Sequence, residues 1–155
     1  MTSERAEFLA TVSLFSHLKE DELQRLAGQS RYCTFKFGEV IIQEGERDDH
    51  LYILISGKAN VFKSYRTPKE KRLRVLEPPA YFCELALIDD LVRSATVVAM
   101  GDTRTLCLDR LNLDREIERS PLIAKKLLKM LNRRLLALEK TLVNATGGVI
   151  PICAT

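Results

Sequence analysis

The sequence predicts a mainly β domain with flanking helices, built as a β-sandwich or rolled barrel. Three observations carry that reading. Apolar residues recur at helical spacing near both ends of the chain, they alternate with period two through the middle, and glycine or proline turn signals separate the alternating runs. Many short strands with no helices between them argue against an α/β fold. With 155 residues, 46% of them hydrophobic, the chain is long enough for one domain with one core.

The elements follow in order. Phe8, Val12 and Phe15, then Leu18, Leu23, Leu26 and Ala27, place helix over 4–29, with Gly28 as the stop signal. Cys33, Phe35 and Phe37 then alternate with Thr34 and Lys36. Val40–Ile42 and Leu51–Ile55 are β-branched or aromatic runs. Ala59, Val61 and Lys63 alternate with Asn60, Phe62 and Ser64, and Leu73 and Val75 alternate with Arg72 and Arg74. Ala95–Met100 and Thr103–Leu108 complete a strand region over 31–109. Turn signals stand between these runs at Gly38, Gly45, Gly57, Pro68, Pro78-Pro79 and Gly101-Asp102.

Helical period returns over 111–143. Ser120-Pro121 reads as a helix start, with serine as N-cap and proline at the first helical position. Beyond it Ala124, Leu128, Leu131, Leu135, Leu138 and Leu142 form an a/d seam. The seam either packs on the chain's own strands or pairs with a second copy. Leu127 and Leu136 widen the apolar face, so that one side can meet the body and the other a partner. A homodimer through this helix is the expectation. Residues 144–155, with Gly147-Gly148, read as a flexible tail.

Charge narrows the function classes. The formal charge is +3, too weak a bias to argue for nucleic acid. From Pro121 onward there are six basic residues (Lys125, Lys126, Lys129, Arg133, Arg134, Lys140) against Glu139 alone, while the first 120 residues carry a net charge of −2. No run of eighteen apolar residues exists, so no membrane span is expected. The first residues lack the pattern of a signal peptide, and the four cysteines (Cys33, Cys83, Cys107, Cys153) have no CxxC spacing. The expectation is a cytoplasmic protein with free thiols. His17 and His50 are the two histidines, neither with a partner at ligand spacing, so no metal site is expected. No nucleophile–base pair stands out, and the protein is expected not to be an enzyme.

One segment carries chemistry. Glu84 to Ile88 is a run of helix formers flanked by strand signals, long enough for one or two turns. A short helix interrupting a β-roll turns free backbone N–H groups into the roll and makes an anion site. Arg93 lies nine residues after Glu84, across the acidic Asp89-Asp90 turn, and can fold back over that terminus. A guanidinium suits phosphate, and Glu84 can accept hydrogen bonds from ligand hydroxyls. A sugar phosphate fits this inventory. The rival reading is an ion pair of Arg93 with Glu84, Asp89 or Asp90.

The segment Phe82-Cys83-Glu84-Leu85-Ala86-Leu87, followed by Arg93-Ser94-Ala95-Thr96, resembles the phosphate-binding cassette of cyclic-nucleotide-binding domains, of the protein kinase A regulatory subunit and catabolite activator type. The resemblance extends to Leu14-Phe15-Ser16-His17-Leu18, to the runs around Gly38, Gly45 and Gly57, and to Arg119-Ser120-Pro121 with the helix after it. It implies a jelly-roll-like β-roll (a double-stranded β-helix) with an N-terminal helix, a short cassette helix and C-terminal hinge and lid helices, together spanning 1–143. It implies that Glu84 bonds the ribose 2′-hydroxyl and Arg93 the cyclic phosphate. Backbone N–H groups of Leu85, Ala86, Ser94 and Ala95 complete the cradle, with Phe82, Cys83, Val75 and Arg134 around the ligand. The ligand implied is cAMP or cGMP, with no other cofactor, and the role a sensor whose last helix responds to it.

Two positions depart from the family pattern. Cys83 and Pro79 stand where glycine is usual; the Cys83 side chain can crowd the ribose, and proline fixes φ and removes a donor. They favour the alternative of a ligand-free interaction module acting through the basic heptad helix. Only thirteen residues follow Leu142, so no DNA-binding domain is expected and the output would pass to an unknown effector protein.

Overall fold

A computed structural model of the chain describes residues 3–47, 49–82 and 93–146. The short cassette helix expected at 84–88, with Cys83, Glu84, Leu85 and Ala86, lies outside the described residues, as does the tail from 147. Helices α1 (Glu4–Thr11) and α2 (Glu20–Gly28) precede eight strands: β1 (Arg31–Phe35), β2 (Val40–Ile42), β3 (His50–Ser56), β4 (Ala59–Lys63), β5 (Lys71–Leu76), β6 (Tyr81–Phe82), β7 (Thr96–Ala99) and β8 (Thr103–Asp109). Helices α3 (Arg110–Arg119) and α4 (Leu122–Thr146) follow.

The strands form two four-stranded antiparallel sheets, ordered β1-β8-β3-β6 and β2-β7-β4-β5. This is the expected β-roll. Period two explains how the first sheet serves two layers. Tyr52 and Leu54 of β3, with Cys107 of β8 and Phe82 of β6, face Ile41, Val61, Leu76 and Val97 of the other sheet inside the roll. Leu51 and Ile53, with Leu106 and Leu108, point the other way into a cluster with Leu9, Phe15, Leu26, Leu113, Ile123 and Leu127. A strand covered on both faces reads as a continuous apolar run, which is why Leu51–Leu54 is wholly buried.

Gly57 has φ of +83°, and a Cβ there would stand 2.5 Å from the Asp102 carbonyl oxygen. The β3–β4 turn therefore needs glycine to pack on the β7–β8 turn.

Three expectations are corrected. The helix expected over 4–29 is broken between Thr11 and Glu20. Val12, Leu14, Phe15 and Leu18 are all buried, more directions than one helical stripe covers, and the hydroxyls of Thr11 and Ser16 bond back to the carbonyls of Phe8 and Ser13. Phe37 does not extend the alternation of β1, because it sits in the turn after it at 81% exposure. Ser120 does not N-cap the last helix. Its Oγ lies 2.8 Å from His17 Nε2, and the first i to i−4 bond runs from Lys125 N to the Pro121 carbonyl.

The two packings left open for the last helix separate, with Leu127 on the body side as expected and Leu136 at 52% exposure. Ile123 and Leu127 carry α4 into the helical cluster, with Met130 packed against it, while Leu128, Leu135, Leu138 and Leu142 are exposed. The stripe that meets the body is therefore the one offset from the seam. It lies on the outer face of the first sheet, so packing of the seam on the chain's own strands is excluded for these leucines.

Candidate functional site

Arg93 is the best-defined member of the expected site. It is 4% exposed although charged. Its backbone is clamped to the turn after β2, with Arg93 N donating to the Glu46 carbonyl and Gly45 N donating to the Arg93 carbonyl, both at 2.9 Å. Gly45 allows this with φ of +86°. The side chain runs back toward the start of β3, where Nη2 donates to the His50 carbonyl at 2.9 Å. That carbonyl fixes the direction of the guanidinium.

The residues beside Arg93 are anchored from two sides. The Thr96 hydroxyl, fully buried, accepts from Glu44 N at 3.0 Å and Gln43 Nε2 at 3.4 Å. Lys63 Nζ donates to the Ser94 carbonyl at 2.8 Å and lies 3.5 Å from Glu44 Oε2. The Ser94 side chain is exposed, and Ala95 packs at the margin of the roll core. The strand that leads out of the cassette is thus tied to β2 and β4 before it pairs as β7.

Phe82, at the entrance to the cassette, is buried and stacks on Tyr52 with ring centroids 5.5 Å apart. The pair walls the roll interior just where the chain enters residues 83–92. Val75 stands elsewhere. It pairs with Asn60 on β4, whereas Leu76 pairs with Ala59 and is the β5 residue buried in the roll. Val75 is 39% exposed on the opposite face of the same strand. Arg134 continues the Ile123–Leu127–Met130 stripe of α4 and is half-buried there. Phe82 and Ala95 thus share the roll core, next in sequence to Arg93 and Ser94, whereas Val75 faces outward on β5 and Arg134 sits half-buried on α4. The carboxylate partners of the rival ion-pair reading, Glu84, Asp89 and Asp90, lie outside the described residues.

The sequence reading missed His50, Tyr52, Glu44 and Lys63. Only Tyr52 left a local signal, its place on the same strand face as Leu54. The other contacts depend on a turn folding back across the roll.

His50 also joins two regions. Its carbonyl receives Arg93, and the neighbouring Asp49 carbonyl receives Arg110 N, at the start of α3, at 2.8 Å. One dipeptide thereby touches the buried cation and the C-terminal helices.

The frame is a two-sheet roll with a buried arginine and helices packed on the outer face of one sheet. The chain belongs to the cyclic nucleotide-binding domain family, whose profile matches residues 32–120. A cGMP-dependent protein kinase of Eimeria tenella is 40% identical over 113 residues, which are 73% of this chain and 11% of the kinase. A CRP-like cAMP-activated global transcriptional regulator of Mycobacterium tuberculosis is 30% identical over 94% of this chain and 65% of its own length. The crystal structure of the Thermus thermophilus catabolite activator protein superposes with a TM-score of 0.77 at 32% identity, covering 86% of this chain and 62% of that one. The chain spans less than two thirds of the length of each of these relatives.

Proposed function

We propose that this domain binds cAMP or cGMP and reports its presence through α4. The observation that carries the reading is Arg93, a guanidinium buried in an apolar roll and aimed by the His50 carbonyl, at the end of the segment that bears the family's pattern. In this reading Arg93 meets the cyclic phosphate and Glu84 the ribose 2′-hydroxyl. The N–H groups of Leu85, Ala86, Ser94 and Ala95 complete the anion cradle. A planar guanidinium donates two parallel hydrogen bonds to a phosphate, which gives the contact both energy and direction. The domain itself catalyses nothing in this reading. Calorimetric titration of the chain with cAMP and with cGMP tests it. Heat with either supports the proposal, and no heat with both up to millimolar ligand overturns it.

The output runs through two elements. Asp49-His50 links Arg93 to the first turn of α3, so an anion that shifts the guanidinium acts on the hinge. A ligand moves that equilibrium only by binding its two arrangements with different affinity. The exposed leucines of α4 then meet a second copy of the chain. In a parallel pair, Arg134 and Glu139 fall on flanking positions suited to pairing across the seam. We also place the domain in the cytoplasm, with the free Cys33 and Cys107 as support. Among the described residues no helix is long and apolar enough to cross a membrane.

A second reading keeps the fold without the ligand. Its support is the same exposed seam, which needs no nucleotide to recruit a partner, together with Cys83 and Pro79 at glycine positions.

A further inference from the structure

The junction between α3 and α4 is fastened to the broken N-terminal segment, away from the anion site. His17 Nε2 and Ser120 Oγ are 2.8 Å apart, across 103 positions of sequence. One turn into α4, Lys126 Nζ donates to the Ser13 carbonyl at 2.8 Å and to Ser16 Oγ at 3.0 Å. Buried Leu14, Phe15 and Leu18 hold the strand of chain between these contacts against the core shared with Ile123 and Leu127. The segment 13–17 is thus a strap over the hinge, with α4 leaving from beneath it.

The strap contains one group that changes charge near neutral pH. His17 Nδ1 is buried with no hydrogen-bond partner among the described residues. A neutral ring needs a proton on one nitrogen only, whereas a protonated ring presents N–H at both. The second N–H would then lie buried without an acceptor, beside the Lys126 ammonium. We propose that the strap is a pH-responsive latch, in which protonation of His17 frees the α3–α4 junction and lets α4 leave the body.

The charges around the ring agree with that direction. Burial first, and then Lys126 of α4, lower the His17 pKa below the ordinary imidazole value, while Glu22 of α2 opposes them. Glu116 and Arg119, the charged groups α3 brings to this end, pair with each other and with Arg25. A pKa depressed in the latched state means that the released state takes up the proton first. The latch is therefore intact above the ordinary imidazole pKa and weakens as pH falls from there toward the depressed value.

The test needs no nucleotide, so it stands or falls separately from the proposed ligand. Hydrogen exchange of α4 amides in the full chain, corrected for intrinsic pH dependence, is followed from about pH 8 to about pH 5. NMR titration of the two histidine rings runs beside it, with His17 assigned by its loss in His17→Gln. The expected result is a loss of α4 protection that shares the midpoint of the His17 ring. Lys126→Gln removes a like charge together with two of the strap's own contacts, so its readout is the His17 ring midpoint, which moves to higher pH, while Glu22→Gln moves the ring and α4 midpoints to lower pH. His17→Gln, neutral throughout, keeps α4 protected across the range. Protection that ignores pH in the wild type, or pH dependence that survives in His17→Gln, overturns the latch. Should His17→Gln fold poorly, ring midpoints that do not move in opposite directions in the Lys126 and Glu22 variants overturn it equally.

Discussion

Arg25 and Glu116 form a two-pronged ion pair between α2 and α3, with Nε to Oε1 at 2.7 Å and Nη2 to Oε2 at 3.0 Å. The carboxylate is fully buried and also receives Arg119 Nη1 at 3.1 Å, whereas the Arg25 side chain keeps 35% of its exposure. The two members are therefore unequal. Removing the arginine leaves a buried anion with one remaining partner, while removing the glutamate leaves a cation that can turn to water.

Arg25→Met is expected to lower unfolding stability by about 3 kcal/mol, the low end of the scale for orphaning one member of a buried pair, because Arg119 stays on the carboxylate. Glu116→Gln is expected to cost less. Urea unfolding of both variants at neutral pH checks the order.

The same pair predicts an acid limb. The Arg25 hydrogen bonds, ahead of the opposing effect of burial and aided by Arg119, hold the Glu116 carboxyl below its ordinary value. A depressed carboxylate stabilises the fold fully above the unfolded-state pKa, and the contribution drains away as pH falls through the folded-state value. Stability should fall on acidification below the ordinary glutamate range, less steeply in Arg25→Met. Melting temperature against pH measures the difference, and identical slopes would refute it.

Neighbouring leucines on α4 should part company. Leu127 is 2% exposed and Leu128 is 64% exposed. Leu127→Ala opens a hole in the helical core and should cost about 2–5 kcal/mol. Leu128→Ala should change monomer stability by no more than about 0.5 kcal/mol while weakening self-association. Sedimentation and denaturant unfolding of the two variants, read together, separate the body face from the partner face.

Arg93→Ala should retain the fold and lose cyclic-nucleotide affinity by roughly a hundredfold, the upper range for a charge-assisted contact in a dry site. Arg93→Lys should recover only part of it, because an ammonium cannot serve the His50 carbonyl and a phosphate with the same planar fork. Circular dichroism establishes the fold and calorimetry the affinity. Unchanged affinity in Arg93→Ala would remove Arg93 from the site.

Gly57 and Gly38 give a paired backbone test. Both have positive φ, but a Cβ at Gly57 meets the Asp102 carbonyl while a Cβ at Gly38 meets nothing within 4 Å. Gly38→Ala should cost about 1–2 kcal/mol for its conformation alone. Gly57→Ala should cost visibly more, and thermal melts rank them.

The alternation of β3, β4 and β8 and the seam of α4 are short-range patterns, and backbone geometry turns them directly into strands and a helix face. β5 shows where that ends. Leu73 and Val75 alternate correctly, yet they are exposed and Leu76 is buried, because a register shift between Val61 and Phe62 on β4 and an edge position decide which face looks inward. Period alone carries no phase.

The sequence by itself determined the kind of protein this is: a β-roll with helices at either end and a leucine seam on the last of them. Tertiary structure alone decided which stripe of α4 the body covers, that the His50 carbonyl aims Arg93, and that His17 reaches Ser120. Each of these depends on segments tens of residues apart meeting in three dimensions. Periodicity reports which residues share a face, and only packing decides what that face touches.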